Sequence, residues 1–231
     1  MKPICTAVIV AAGKGKRMGT DISKQFLPLC GKEILTRTVE VFEKADRIRD
    51  IVLVTGTDSL QDVQDMVREY GWQKVISVVA GGKERQDSVW NGLQAVSEDT
   101  EIVLIHDGVR PFVTEEILDL SIETAVEMGG CVAGVPAKDT IKVCNSENIA
   151  IDTPDRSTLW QIQTPQTFRK ELIVKAYEQA KAEGFVGTDD ASLAENSGYS
   201  VKVIMGSYRN IKITTTEDLL IGEAFLKEGQ A

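Results

Sequence analysis

A single histidine, His106, and four scattered cysteines are the only imidazole and thiol groups in this 231-residue sequence. One histidine excludes a His pair or a His-based metal cluster. Cys5, Cys30, Cys131 and Cys144 form no C-x-x-C pair, so they read as small apolar residues rather than zinc ligands or a disulfide framework. The cytoplasm is therefore the expected compartment. No apolar run reaches about 18 residues, so no membrane span is expected. Positive charge is in deficit, with 26 Lys and Arg against 35 Asp and Glu and a net charge of −9. That balance argues against broad nucleic-acid binding, which needs a basic surface. The first ten residues lack a cleavage-site pattern and read as a first strand, not a signal peptide. The remaining composition, 42% hydrophobic and 26% charged, is that of a soluble globular chain.

Against this acidic background one basic cluster stands out. Residues 1–24 hold five Lys or Arg and one acid, Asp21. The apolar run Ala7-Val8-Ile9-Val10 leads into Ala11-Ala12-Gly13-Lys14-Gly15-Lys16-Arg17-Met18-Gly19, followed by Lys24-Gln25. Glycines let backbone N–H groups approach an anion closely and form a nest around it, and Lys14, Lys16, Arg17 and Lys24 can neutralise several phosphate charges. The pattern points to a small polyphosphate ligand. It is not a Walker A loop, because Met18-Gly19-Thr20 stands where Gly-Lys-Ser/Thr is needed. Nor is it a dinucleotide fingerprint, because the third glycine comes one residue late. Taken alone, the loop also fits a flexible strand-to-helix connection with solvated lysines.

Short apolar runs at 4–10, 51–55, 75–79, 102–106 and 130–135 predict strands. The intervening segments 33–45, 58–70, 84–96 and 114–128 carry the three-and-four spacing of amphipathic helices. This alternation predicts an α/β fold, a mostly parallel sheet with helices on both faces. Ligands in such sheets sit at the carboxyl ends of strands near a topological switch, where Gly13–Gly19 and Asp107–Arg110 would both lie. Residues 137–163 break the rhythm: Thr140–Cys144, a turn at 145–148 and Ile149–Ile151 read as a projecting β-arm. An isolated hairpin is marginal in water, so packing on a second subunit is expected, although an ordinary surface hairpin fits as well. Further helices are expected near 169–183 and 216–227. The whole of 1–231 reads as one domain with an arm.

Three more segments carry chemistry. Gly81-Gly82 through Ser88 allows close backbone approach to a base edge, or makes a tight strand-to-helix turn. His106-Asp107-Gly108-Val109-Arg110-Pro111 places a carboxylate and a guanidinium in one turn, with His106 read as structural. Gly187–Ser192 reads as a capped helix start, and Asn210–Thr214 as the end of a late strand carrying Lys212.

In this order the segments resemble the 2-C-methyl-D-erythritol 4-phosphate cytidylyltransferase family. The resemblance runs from about residue 4 to 226 and includes Asp139-Thr140, Asp155-Arg156 with Leu159-Trp160, Thr164-Pro165-Gln166 and Thr188-Asp189. It implies a Rossmann-like nucleotidyltransferase fold and a homodimer formed through the arm. CTP and a polyol phosphate would be the substrates, and Mg2+ would be held mainly by the CTP phosphates. It further implies that Arg17, Lys24, Arg156 and Lys212 are catalytic. Ala11, Ala12, Gly13, Lys14, Gly15, Gly81, Gly82 and Ser88 would line the nucleotide, and Asp107, Arg110, Thr140 and Thr164 the second substrate. Ribitol-5-phosphate cytidylyltransferases are the nearest alternative, since they share the fold and much of the loop. They start that loop Ala-Gly-Gly and lack the Asp-Arg…Leu-Trp segment, whereas Val109 departs from the erythritol pattern in their direction. A non-catalytic nucleotide-binding module is the alternative of another class.

Overall fold

The computed structural model describes residues 2–13 and 23–229. Its frame is a seven-stranded sheet. In chain order the strands and helices are β1 (Cys5–Ala11), β2 (Pro28–Leu29), β3 (Lys32–Glu33), α1 (Ile34–Lys44), β4 (Asp50–Thr55), α2 (Leu60–Tyr70), β5 (Val75–Ala80) and α3 (Arg85–Gln94). Then come β6 (Ile102–Asp107), α4 (Glu115–Met128), β7 (Gly130–Pro136), the short β8 (Val143–Cys144) and β9 (Ala150–Asp152), β10 (Trp160–Arg169), α5 (Lys170–Glu183), α6 (Asp190–Asn196), β11 (Lys202–Met205) and α7 (Thr216–Glu228). The strand order of the sheet is β11-β7-β10-β6-β1-β4-β5, and β2–β3 and β8–β9 form two separate two-stranded hairpins. β1 pairs in parallel with both β4 and β6, and within this sheet, among the described residues, only β10 runs antiparallel to its neighbours.

Alternation along the strands explains the two-sided burial. Cys5, Ala7 and Ile9 of β1 join one core, with Leu35, Val39 and Phe42 of α1 and Leu118 and Ile122 of α4. Val8 faces the other core, with Val89 and Leu93 of α3, Ile173 and Tyr177 of α5 and Leu193 of α6. Successive strand side chains point to opposite faces, so one apolar strand serves both layers. A third cluster of Leu29, Ile34, Val109 and Ile213 lies beside α7.

The expected α/β architecture is therefore present, and three local readings are corrected. Residues 160–163, counted with the arm from sequence, belong to β10 and pair with β7. Proline disfavours the middle of a sheet, but the pairing of β10 with β7 shifts register between Ile162 and Gln166, around Pro165. The late strand is β11, not 210–214. After it the chain turns at 207–210, with Asn210 N–H donating to the Ser207 carbonyl. Ile211 and Ile213 then pack toward the third cluster instead of the sheet. The arm hairpin is shorter than expected, pairing only at Val143 with Asp152 and Cys144 with Ala150. Every residue from 138 to 153 is exposed.

Candidate active site

The sheet reverses its winding around β1, with β4 on one side and β6 on the other. Chains leaving the carboxyl ends of β1 and β6 part there and leave a crevice. A cleft of about 450 Å³ occupies it, bounded by Ala11 at the end of β1 with Ala12 and Gly13 after it, Lys24, Gly82 and Ser88, and Asp107 with Lys212. Eight of the sixteen residues anticipated from sequence thus meet at one place. Lys14, Gly15 and Arg17 lie outside the described residues.

The glycine pair is explained by close packing. A Cβ on Gly81 would lie 2.4 Å from the Ala12 Cβ and 2.8 Å from Ser88 Oγ. Gly81 N–H donates to the Thr55 carbonyl at 2.7 Å, and Gly82 N–H donates to Ser88 Oγ at 3.0 Å. Ser88 Oγ in turn donates to the Glu84 carbonyl. The Glu84 and Asp87 side chains box the start of α3, which holds this wall of the cleft in place. Lys24 opens a one-turn 3-10 helix, Lys24–Phe26, anchored by the buried Gln25.

Asp107 is the anionic centre of the opposite wall. Its Oδ2 lies 2.9 Å from Lys212 Nζ and 3.4 Å from Arg110 Nε, and its Oδ1 lies 3.8 Å from Arg85 Nε. Burial would raise the Asp107 pKa, but Lys212, Arg85 and Arg110 outweigh it and hold the carboxyl far below its ordinary value. Asp107 is thus an ionised hub that fixes cations, in addition to any hydroxyl it accepts from. Arg85 was given no role by the sequence. It lines the cleft and is gripped by the fully buried Asp190 through two contacts of 2.9 and 2.6 Å. Bidentate pairing of this kind fixes a guanidinium in orientation as well as charge. The acid pair at the start of α6, read only as caps, divides its work. Asp189 caps the helix by accepting from Ser192 N–H, and Asp190 takes Arg85.

Thr164 stands one layer behind the cleft. Its hydroxyl accepts from Asp107 N–H at 3.1 Å and meets His106 Nδ1 at 3.0 Å. The other ring nitrogen of His106 faces the Arg110 carbonyl at 3.1 Å. A carbonyl only accepts, so Nε2 carries the proton and Nδ1 accepts from Thr164. Burial depresses the His106 pKa from 6.5 to about 4. Stability from this group is complete above its unfolded value and is lost as pH falls from about 6.5 toward 4. Because His106 is the only histidine, one ring resonance reports on it. That proton resonance is expected to stay unshifted from pH 8 to pH 5.5. A midpoint near 6.5 would contradict the buried neutral ring.

Arg156 and Thr140 do not line the cleft of their own chain. Both are exposed on the arm, where Arg156 Nη1 donates to the Lys138 carbonyl at 2.9 Å. Val109 is buried against Leu29, Ile34 and Ile213, and its carbonyl accepts from Ile213 N–H at 2.9 Å. A packing role thus accounts for the branched residue in the Asp107–Arg110 turn. The described residues contain no group of three or more His, Cys, Asp or Glu placed to hold a metal ion, and no helix among them is long and apolar enough to cross a membrane.

The family model for 2-C-methyl-D-erythritol 4-phosphate cytidylyltransferase (IspD) matches residues 5–228. The protein of that name from Alkaliphilus oremlandii is 51% identical over 223 residues, covering 96% of this chain and 94% of the relative. That of Geotalea uraniireducens is 53% identical over 225 residues, covering 96% of each. The crystal structure of 4-diphosphocytidyl-2C-methyl-D-erythritol synthase from Anaerococcus prevotii superposes with a TM-score of 0.87 at 34% identity, covering 98% of this chain and 97% of that one. A match of this extent, on a fold whose crevice carries the residues described above, shows that the chain belongs to the 2-C-methyl-D-erythritol 4-phosphate cytidylyltransferase family of nucleotidyltransferase enzymes.

Proposed function

We propose that this chain joins CTP to 2-C-methyl-D-erythritol 4-phosphate, giving 4-diphosphocytidyl-2-C-methyl-D-erythritol and pyrophosphate in isoprenoid precursor synthesis. The observation that carries the reading is the cleft, which has a glycine-lined side beside Lys24 and a cationic side at Lys212. Full-length relatives at 51% and 53% identity carry the erythritol name, which supports methylerythritol phosphate over ribitol phosphate.

The nucleophile would be a phosphate monoester oxygen. Its second pKa is about 6, so it is largely ionised at neutral pH and needs no general base. This agrees with a lone histidine committed to Thr164 and Arg110. The barrier is then electrostatic, an anion approaching the α-phosphorus of a polyanion, and catalysis consists of positioning and charge neutralisation. In this reading Gly81, Gly82, Ser88 and the Ala11–Gly15 loop hold the nucleotide. Arg17 and Lys24 stabilise the charge that develops on the transferring and leaving phosphates. Lys212 meets the incoming phosphate, while Asp107, Arg110 and Thr164 shape its side of the cleft. Arg156 and Thr140 complete that side from the arm of a second copy. The exposed Ile141, Val143, Ile149 and Ile151 support such a homodimer. Magnesium, when bound, would neutralise triphosphate charge. It prefers substrate phosphates with few protein ligands, which suits a cleft whose described carboxylates are Asp107, bound to cations, and Glu84, engaged at the start of α3. We place the reaction in the cytoplasm.

Pyrophosphate release with CTP tests the reading, with methylerythritol phosphate and ribitol 5-phosphate compared side by side. The erythritol substrate is expected to be preferred by more than about 100-fold in kcat/KM, as for a site that hydrogen-bonds its substrate hydroxyls. Preference for ribitol phosphate would move the protein to the alternative substrate. No release with either would leave a nucleotide-binding module.

A further inference from the structure

We infer that Asn210, a residue with no assigned part in the reaction, is a positioning residue that sets where Lys212 sits. The inference rests on the proposed reaction. Asn210 is fully buried and touches no cleft surface. Its side-chain Nδ2 donates to the Thr164 carbonyl at 2.8 Å and to Gln163 Oε1 at 3.3 Å. Its own carbonyl accepts from Arg110 Nη1 at 2.7 Å. One residue therefore ties three segments together: the turn that follows Asp107 at the end of β6 and carries Arg110, the bulge of β10 that carries Thr164, and the loop that carries Lys212 two positions on. These segments lie 46 and 100 residues away from Asn210 in sequence.

The geometry decides which interaction matters. A carbonyl can only accept, so the Thr164 carbonyl requires the amide nitrogen of Asn210 and cannot be served by a carboxylate oxygen. Lys212 is otherwise fixed at two points, by the Ile213 N–H to Val109 carbonyl bond beside it and by the 2.9 Å ion pair of its ammonium with Asp107. The first holds the loop against the third cluster, and the second holds the ammonium at the end of β6. Asn210 sets the spacing between that loop and the segments carrying Arg110 and Thr164, and so the geometry in which the ion pair presents Lys212 to the cleft. The Gly82 and Ser88 side of the cleft is built from the β5–α3 turn and the first turns of α3, and the hydrogen bonds described for it do not involve Asn210.

Asn210→Asp keeps shape and replaces the donor, whereas Asn210→Ala removes the tie. In both, kcat/KM for methylerythritol phosphate is expected to fall by about 100-fold, the scale of a roughly 1 Å misplacement of a catalytic group. The affinity for CTP, measured by calorimetry, is expected to change by less than about threefold on the same ground. Thermal melts identify folded protein. Parental kcat/KM in a folded variant overturns the inference. So does a parallel loss of CTP affinity, and so does failure of both variants to fold, which would make Asn210 a residue of the fold alone. If the parent itself releases no pyrophosphate, the reaction reading fails by itself. Calorimetric binding of methylerythritol phosphate in the presence of α,β-methylene-CTP then decides the inference, with at least tenfold weaker binding by the variants expected and equal binding overturning it.

Discussion

Replacing Lys24 by alanine is expected to lower kcat by a factor on the order of 10²–10³, the scale for losing one preorganised contact to transition-state charge. Lys24 lines the same cleft as Gly13, Gly82, Asp107 and Lys212. The turn that presents it is pinned by Gln25, only 2% exposed, and by the Leu27 N–H to Lys24 carbonyl bond at 3.2 Å. Neither of these two contacts uses the Lys24 side chain. An interaction realised mainly as negative charge builds on the leaving pyrophosphate lowers kcat more than it raises KM. Steady-state pyrophosphate release separates the two. A folded Lys24→Ala protein with near-parental kcat would remove Lys24 from the mechanism, and a loss confined to the KM for CTP would reduce it to ground-state binding.

Mixing two inactive variants is expected to restore activity. Arg156 is exposed on the arm and absent from the cleft of its own chain, so in the proposed dimer each site takes Lys24 from one protomer and Arg156 from the other. Arg156→Ala and Lys24→Ala homodimers would both be nearly inactive. After free subunit exchange half of the dimers are mixed, and each mixed dimer has one site with both residues intact. A two-fold symmetric assembly with random exchange thus recovers about a quarter of parental activity. Exchange is confirmed with differently tagged protomers. Confirmed exchange with no recovery would place Arg156 outside the shared site, and a monomer by sedimentation would end the arm proposal altogether.

Much of the frame was legible because it is local. Val/Ile/Leu runs alternating with helical spacing expose a parallel sheet in any sequence that contains them, and the boundaries of β4, β5, β6 and α4 follow within a residue or two. β10 was illegible because its centre, Gln163-Thr164-Pro165-Gln166, is polar and carries a proline. Only the bulge against β7 explains how such a segment sits inside a sheet. Ile211 and Ile213 misled in the opposite sense. Their alternation imitates a strand, but their partners belong to a separate small core.

At the site, residue types announced themselves and their relations did not. A glycine loop with several cations, a glycine pair before a helix and an Asp-Arg turn were visible as motifs, and their order indicated the family. Arg85 and Asp190 carried no such signal. Each sits at the start of a helix, where a charged residue is unremarkable, and they meet across 105 residues of sequence. By itself the sequence determined the alternation of elements, the acidic composition and a cation-rich glycine segment of the kind that cradles phosphates. Only the tertiary structure decided that Asp107 is bound by Lys212, Arg85 and Arg110, and that Asn210 ties the loop of Lys212 to the strand behind it. The reason is physical. Hydrophobic periodicity is written into neighbouring residues, whereas a charge hub forms between chain ends that sheet order alone brings together.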